Sequence, residues 1–179
     1  MPYRQRIGTA DVVFHVMNRA VRRARLFDSD AEYAAFLRAF LEAQARIPLR
    51  LLAYCVMPNH FHLVVWPQGE GELSRFMQWF TATHSKRWHQ DRGTTGTGAV
   101  YQARFKAFPI QTDDHFLTVC RYVERNPLRA GLADTVEEWP WSSYADRGRS
   151  TPRVQLTAWP VPRPADWREF VNAGEGVME

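Results

Sequence analysis

Two imidazoles separated by one apolar residue, His60-Phe61-His62, are the most pointed chemical signal in the chain. In a β-strand, residues i and i+2 project to the same face, so both rings face one way and Phe61 the other. Imidazoles placed so close together can grip one divalent metal ion. Ordinary core or surface histidines would have the same spacing, and the pair alone leaves both readings open. The second signal is Tyr122 with Asn126 four residues later. On a helix that spacing stacks the two side chains on one face. Asn126 could then offer an amide oxygen to a metal, with the Tyr122 phenol beside it. The plainer alternative makes Tyr122 an amphipathic core residue and Asn126 the last residue of a helix stopped by Pro127.

The elements that must position these groups follow from hydrophobic periodicity. Residues 12–17 (Val-Val-Phe-His-Val-Met) are β-rich and predict a first strand, followed by an arginine-bearing loop. Asp28 or Ser29 can cap a helix whose apolar residues Tyr33, Phe36, Leu37, Phe40 and Leu41 recur at spacings of three and four; Pro48 ends it. Residues 49–56 predict a second strand, Met57-Pro58-Asn59-His60 a turn, and residues 60–66 a third strand. A second helix is expected over 73–90, a loop over the small polar residues 93–98, and a fourth strand over 100–110. A third helix should start at Asp113 as N-cap and run to about Asn126. Strand–helix–strand–strand–helix–strand is the split βαβ order: an α+β, ferredoxin-like antiparallel sheet with helices covering one face. The expected division is a domain over 1–147 and a Pro-containing C-terminal tail over 148–179, the tail packing on the scaffold through Trp159, Trp167 and Phe170 rather than lying over the site as a lid.

Composition bounds the partners. The chain has 179 residues, 45% hydrophobic and 23% charged, as in a globular domain able to bury a core without disulfides. No apolar run approaches the roughly 20 residues needed to span a bilayer, and the first ten residues lack the apolar core of a signal peptide. A cytoplasmic protein without membrane association is expected. Lys+Arg 23 against Asp+Glu 19 gives a net charge of +4, which by itself identifies no partner. Position is more informative. Arg19, Arg22, Arg23 and Arg25 cluster within seven residues, and Arg121, Arg125 and Arg129 recur every four, with Pro127 expected to break the helix before Arg129. Either cluster suits phosphate, because guanidinium donates paired hydrogen bonds; a solvated face explains either one as well.

Three separated stretches carry a resemblance. Tyr54-Cys-Val-Met-Pro-Asn-His-Phe-His-Leu-Val-Val65 resembles the histidine motif of single-strand transposases of the His-hydrophobe-His class. Gly98-Ala-Val-Tyr-Gln-Ala-Arg-Phe-Lys-Ala-Phe108 and Tyr122-Val-Glu-Arg-Asn-Pro-Leu-Arg-Ala-Gly-Leu132 are similar to the REP-associated tyrosine transposases, a bacterial group. The resemblance covers roughly residues 1–147, with one departure at Ala103, where glycine is expected. It implies a nuclease and strand transferase with one catalytic tyrosine, Tyr122, acting on single-stranded DNA that carries a REP-type palindromic hairpin. A 5′-phosphotyrosine would be the intermediate, and the location bacterial and nucleoid-associated.

The implied chemistry is consistent with the residues. Tyrosine must lose a proton whose ordinary pKa is about 10. A divalent ion on His60, His62 and Asn126, three neutral ligands, would keep its full charge to polarise a phosphate. Mg²⁺ or Mn²⁺ is expected, and because the set is nitrogen-rich for magnesium, Mn²⁺ should bind more tightly. No general base is evident: His115 lies about 10 Å along the axis from Tyr122 and Glu124 is expected to be solvated. For DNA, Gln102, Arg104 and Lys106 would share one strand face, while Arg19, Arg22, Arg23 and Arg25 would hold hairpin phosphates and Arg125 would add a further contact. Two rivals stay open: a hairpin-binding protein without catalysis, and a metal-dependent hydrolase using water on the same scaffold. The REP-associated subgroup resembles monomers, whereas related insertion-sequence enzymes work as dimers, and the sequence does not decide between them.

Overall fold

The structure, a computed structural model, describes residues 11–174; the first ten residues, scanned above for a leader, lie outside them. Alternation in β1 (Phe14–Arg19) buries Phe14, Val16 and Asn18 on one face and leaves His15, Met17 and Arg19 half-buried on the other. This strand pairs antiparallel with β3 (His60–Trp66) and β4 (Lys106–Pro109), and β3 pairs with β2 (Arg50–Met57), giving the order β2-β3-β1-β4. The helices α1 (Asp30–Arg46) and α2 (Glu72–Arg92) complete the split βαβ order predicted from periodicity. Gly93 ends α2 in the left-handed region at φ 62°, and its N–H is taken up by the Gln90 and His89 carbonyls.

The helices divide between the two faces of the sheet rather than covering one. Phe36 and Phe40 of α1 and Phe76 and Phe80 of α2 pack with Phe14, Val16, Phe61 and Leu63. On the opposite face, Phe116, Cys120 and Val123 of α3 (Asp113–Arg129) pack with Cys55, Met57 and Val64. β2 is therefore apolar on both faces from Leu51 to Met57, and with Val64 of β3 it gives a third helix a surface to bury. The short helices α4 (Ser143–Arg147) and α5 (Trp167–Asn172) follow. Within the described residues no helix is long and apolar enough to cross a membrane.

Three expected boundaries move. First, β1 continues through Arg19, because β3 begins at His60 and pairs with it there. Second, β4 is four residues instead of eleven. Tyr101 turns into the core, its hydroxyl 2.7 Å from His84 Nδ1, and makes a single bridge to Ala20, so residues 102–104 leave the ladder. Third, α3 is capped by Thr112, whose hydroxyl accepts from the His115 N–H at 3.2 Å, and it passes through Pro127 to Arg129. Proline in the last turn forfeits only its own N–H; beyond it Ala130 N–H still reaches the Asn126 carbonyl at 3.1 Å.

The segment after residue 148 is packed on the sheet. Leu156 pairs with Leu51 on the side of β2 away from β3, where Ser142 also bridges Cys55, and Thr157 N–H donates to the Leu51 carbonyl at 2.7 Å. The Trp159 indole donates to the Leu52 carbonyl at 2.8 Å, and Trp167 and Val171 are buried against α3. Covering an edge strand in this way removes a template for pairing with other chains.

Candidate active site

His60 and His62 leave β3 on the face that α3 covers, so a helix and a strand distant in sequence meet over them. The two imidazoles are 5.0 Å apart between ring centroids, and the Tyr122 ring stands edge-on to His62 at 5.4 Å. Asn126, one turn further along α3, brings Oδ1 to 3.3 Å from His60 Nε2. His62 is 1% exposed and Asn126 8%, whereas Tyr122 is 37% exposed and reachable by a macromolecular substrate. The sequence-predicted quartet is thus brought to one place. Arg129 stacks its guanidinium 4.9 Å from the centre of the Tyr122 ring.

Hydrogen bonds define which nitrogen of His60 is free. Asn59 Nδ2 donates to the Arg23 carbonyl at 3.3 Å, which orients its Oδ1 as the acceptor for His60 Nδ1 at 2.6 Å. With the proton on Nδ1, Nε2 holds a lone pair facing the Asn126 oxygen, a second acceptor. Two lone pairs converging at 3.3 Å are what a cation would reconcile, so the donor set fits a divalent ion. Burial, followed by the nearby Arg19 charge, lowers the His60 pKa to about 4; burial, then His15, His60, Arg19 and Arg129, holds His62 well below its ordinary value. Both rings are neutral at pH 7 and can ligate. Among the described residues no three His, Cys, Asp or Glu side chains form a metal cage, so a site here depends on the Asn126 amide.

The cations divide into two groups. Arg19 lies beside Gln102, Arg104 and Lys106 around a hollow of about 150 Å³, and Arg19 Nε is buried without a hydrogen-bond partner among the described residues. The shared strand face expected for Gln102, Arg104 and Lys106 is absent, since 102–104 lie outside β4, but the hollow still brings them together. Arg22 and Arg23 are exposed in a tight turn with φ of 53° and 56°, a conformation that costs a non-glycine residue about 1–3 kcal/mol. Arg25 is ion-paired with Asp28 at 3.3 Å.

Arg125, expected to contact phosphate, is engaged by the C-terminal segment. Its Nη1 donates to the Val171 and Asn172 carbonyls at 2.7 and 2.9 Å, and Arg121 donates to Phe170 and Ala173 at 2.7 and 2.8 Å. Both guanidiniums close the C-terminal end of α5, where unpaired carbonyls gather. Glu124 is likewise buried instead of solvated: it accepts from Ser143 Oγ at 2.6 Å, Arg147 Nη1 at 2.6 Å and the Trp167 indole at 2.8 Å. His115 is exposed at the start of α3. Two residues of the site escaped the sequence reading. Asn59 was visible only as a turn residue. His15, 2.9 Å from His62 through its Nε2, was signalled only by the alternation of β1.

Comparison with known proteins gives the family and the fold. Residues 9–126 match the family model described as "Transposase IS200 like". A REP-associated tyrosine transposase of Escherichia coli K12 is 23% identical over 171 residues, 92% of this chain and 91% of the relative. A Haemophilus influenzae protein with a provisional name of the same kind is 21% identical over 117 residues, 61% of this chain and 66% of that one, just under two thirds of its length. The solved structure of a REP-associated tyrosine transposase bound to a REP hairpin superposes with a TM-score of 0.66 at 21% identity, covering 92% of this chain and 98% of the other, which establishes the shared fold. The chain belongs to the IS200-like transposases, and it matches the E. coli REP-associated tyrosine transposase along 92% of its length.

Proposed function

We propose that the chain is a metal-dependent single-stranded DNA endonuclease and strand transferase, acting on palindromic hairpins through Tyr122. The observation that carries this reading is the convergence of an exposed tyrosine with two neutral imidazoles and an amide oxygen, delivered by β3 and α3 with 66 residues between His60 and Asn126. The E. coli and H. influenzae relatives support it by name, and the hairpin in the related complex supports the substrate class.

His60 Nε2, His62 and Asn126 Oδ1 would hold Mg²⁺ or, more tightly, Mn²⁺. The ion would supply Lewis-acid polarisation of the scissile phosphate, undiminished by its neutral ligands. Tyr122 gives its phenolic proton to water and attacks phosphorus: the Oη–P bond forms and the P–O3′ bond breaks. The departing O3′ takes up a proton, and phosphorus stays on O5′ as a 5′-phosphotyrosine. Rejoining reverses these steps with a new 3′-hydroxyl, so bond energy is conserved in the covalent link. Arg129, stacked over the ring, helps to hold the orientation of Tyr122 by cation–π attraction. Arg19, Arg22, Arg23, Gln102, Arg104 and Lys106 form the phosphate-binding surface of this reading, with Arg25 at its margin.

The test uses hairpin oligonucleotides labelled at either end, incubated with Mn²⁺ and with wild type or Tyr122→Phe. Wild type should form a covalent adduct on the fragment bearing the 5′-phosphate and release a free 3′-hydroxyl; Tyr122→Phe and EDTA should abolish both. Cleavage that persists in Tyr122→Phe without an adduct would select water as nucleophile. Tight binding without any cleavage would reduce the protein to a hairpin binder.

A further inference from the structure

His15 lies outside the donor set described above, yet it is built into the site. Its Nε2 is 2.9 Å from His62 Nδ1, with the ring centroids 5.1 Å apart and the ring planes inclined at 26°. It reaches His62 because β1 and β3 are antiparallel neighbours: Met17 is paired with His62, and His15 is two residues before Met17 on the same face. Its ring is also 5.8 Å from that of Tyr122 and 6.1 Å from Phe108, which closes its outer side.

A neutral imidazole has one donor and one acceptor nitrogen, and a buried N–H left unpaired costs about 1–3 kcal/mol. His62 is 1% exposed, so whichever nitrogen carries its proton needs a protein partner. We infer that His15 is a positioning residue for His62: its Nε2 accepts the His62 Nδ1 proton and so holds His62 in the tautomer whose Nε2 lone pair is available to a divalent cation. The inference rests on the metal reading under "Proposed function" and deepens it. With the proton on Nε2, His62 could not ligate; with Nδ1–H unpaired, it would carry the burial cost. Asn59 does the same for His60 from the other side, through a side-chain oxygen at 2.6 Å. The ligand histidines would thus be oriented from outside by partners of different chemistry, an amide for one and an imidazole for the other.

The test compares His15→Phe, which keeps the ring and removes the acceptor, with His15→Gln, whose Oε1 can take the place of Nε2. Two readouts avoid cleavage altogether: Mn²⁺ affinity of the DNA-free protein by electron paramagnetic resonance, and the His62 tautomer in the metal-free protein by long-range ¹H–¹⁵N correlation. His15→Phe should weaken Mn²⁺ binding by about 10-fold or more and shift His62 from the Nδ1–H form to a mixture. His15→Gln should restore both. His15→Leu serves the same comparison should His15→Phe melt early. Wild-type His62 protonated on Nε2, unchanged Mn²⁺ affinity in His15→Phe, or His15→Gln no better than His15→Phe would each overturn the assignment. A wild type that binds no Mn²⁺ would remove the metal from the proposed function, and the tautomer readout would still decide the role of His15.

Discussion

Removing Glu124 tests whether the C-terminal segment braces the helix that carries Tyr122. Glu124 is wholly buried and accepts from a hydroxyl, a guanidinium and an indole contributed by α4 and α5. Glu124→Ala leaves the Arg147 charge, on a side chain 19% exposed, without its carboxylate. Breaking a buried pair from one side costs about 3–5 kcal/mol, against roughly 5–15 kcal/mol for the stability of a whole domain. Glu124→Gln keeps one acceptor oxygen and the side-chain volume, so it should cost less, about 2 kcal/mol. The control is Glu42→Gln, which breaks the half-exposed pair with Arg87 and should cost no more than about 1 kcal/mol. Urea unfolding followed by tryptophan fluorescence measures all three, because Trp159 and Trp167 report directly on the α5 contact. Refutation is simple: Glu124→Ala within about 1 kcal/mol of wild type would mean that the buried carboxylate anchors nothing.

Truncation after Gly148 uncovers the Leu51 side of β2 and removes the Trp159, Trp167 and Val171 contacts; the expected result is aggregation or loss of the folding transition, and a soluble fragment with faster cleavage would instead make the segment a lid. Burial, followed by the Arg92 and Arg87 charges, lowers the His84 pKa from 6.5 to about 3, so the folded state refuses a proton that the unfolded chain accepts below pH 6.5. His84 therefore subtracts stability progressively from pH 6.5 down to about 3, about 2 kcal/mol by pH 5, and His84→Gln should close that much of its stability gap to wild type between pH 7 and 5 in chemical denaturation; a pH-independent gap refutes it. In hairpin binding, Lys106→Ala should lower the slope of log K against log salt by about 0.7–0.9, whereas Arg125→Ala should leave the slope unchanged and lower the melting temperature, because its guanidinium is engaged by α5; equal slopes for Lys106→Ala and wild type would exclude Lys106 from the phosphate surface.

The two arginine clusters show where a sequence stops being informative. Spacing correctly placed Arg121 and Arg125 on a helix, but not what would face them. The α5 carbonyls that they contact lie 46 to 52 residues downstream, across a stretch with no clear periodicity. Glu124 was misjudged for the same reason: a carboxylate on a helix is normally solvated, and the three donors that bury it arrive with the segment that follows. By contrast, β3 was legible to the residue, because its alternation is short, regular and bounded by a Pro58-Asn59 turn. The fourth strand failed through Tyr101, whose β-propensity suggested a longer ladder than its burial beside His84 allows.

His15 is the most instructive omission, because everything needed to place it on the correct face was present in β1. Alternation puts His15 with Met17 and Arg19, opposite Phe14 and Val16. Only the register of β1 against β3, which no local pattern specifies, sets its ring beside His62 rather than a residue earlier or later. A one-residue slip would send His15 into the aromatic core and deprive His62 of its partner. That register is pinned on the far face, where Phe14, Val16, Phe61, Leu63 and Val65 pack beneath α1 and α2. The same two strands therefore separate the tasks: one face fixes the alignment by hydrophobic packing, and the other uses it to set His15, His60 and His62 under Tyr122. A core substitution such as Leu63→Ala, with no contact to the site, should then disturb the His15–His62 hydrogen bond only when it disturbs the register itself.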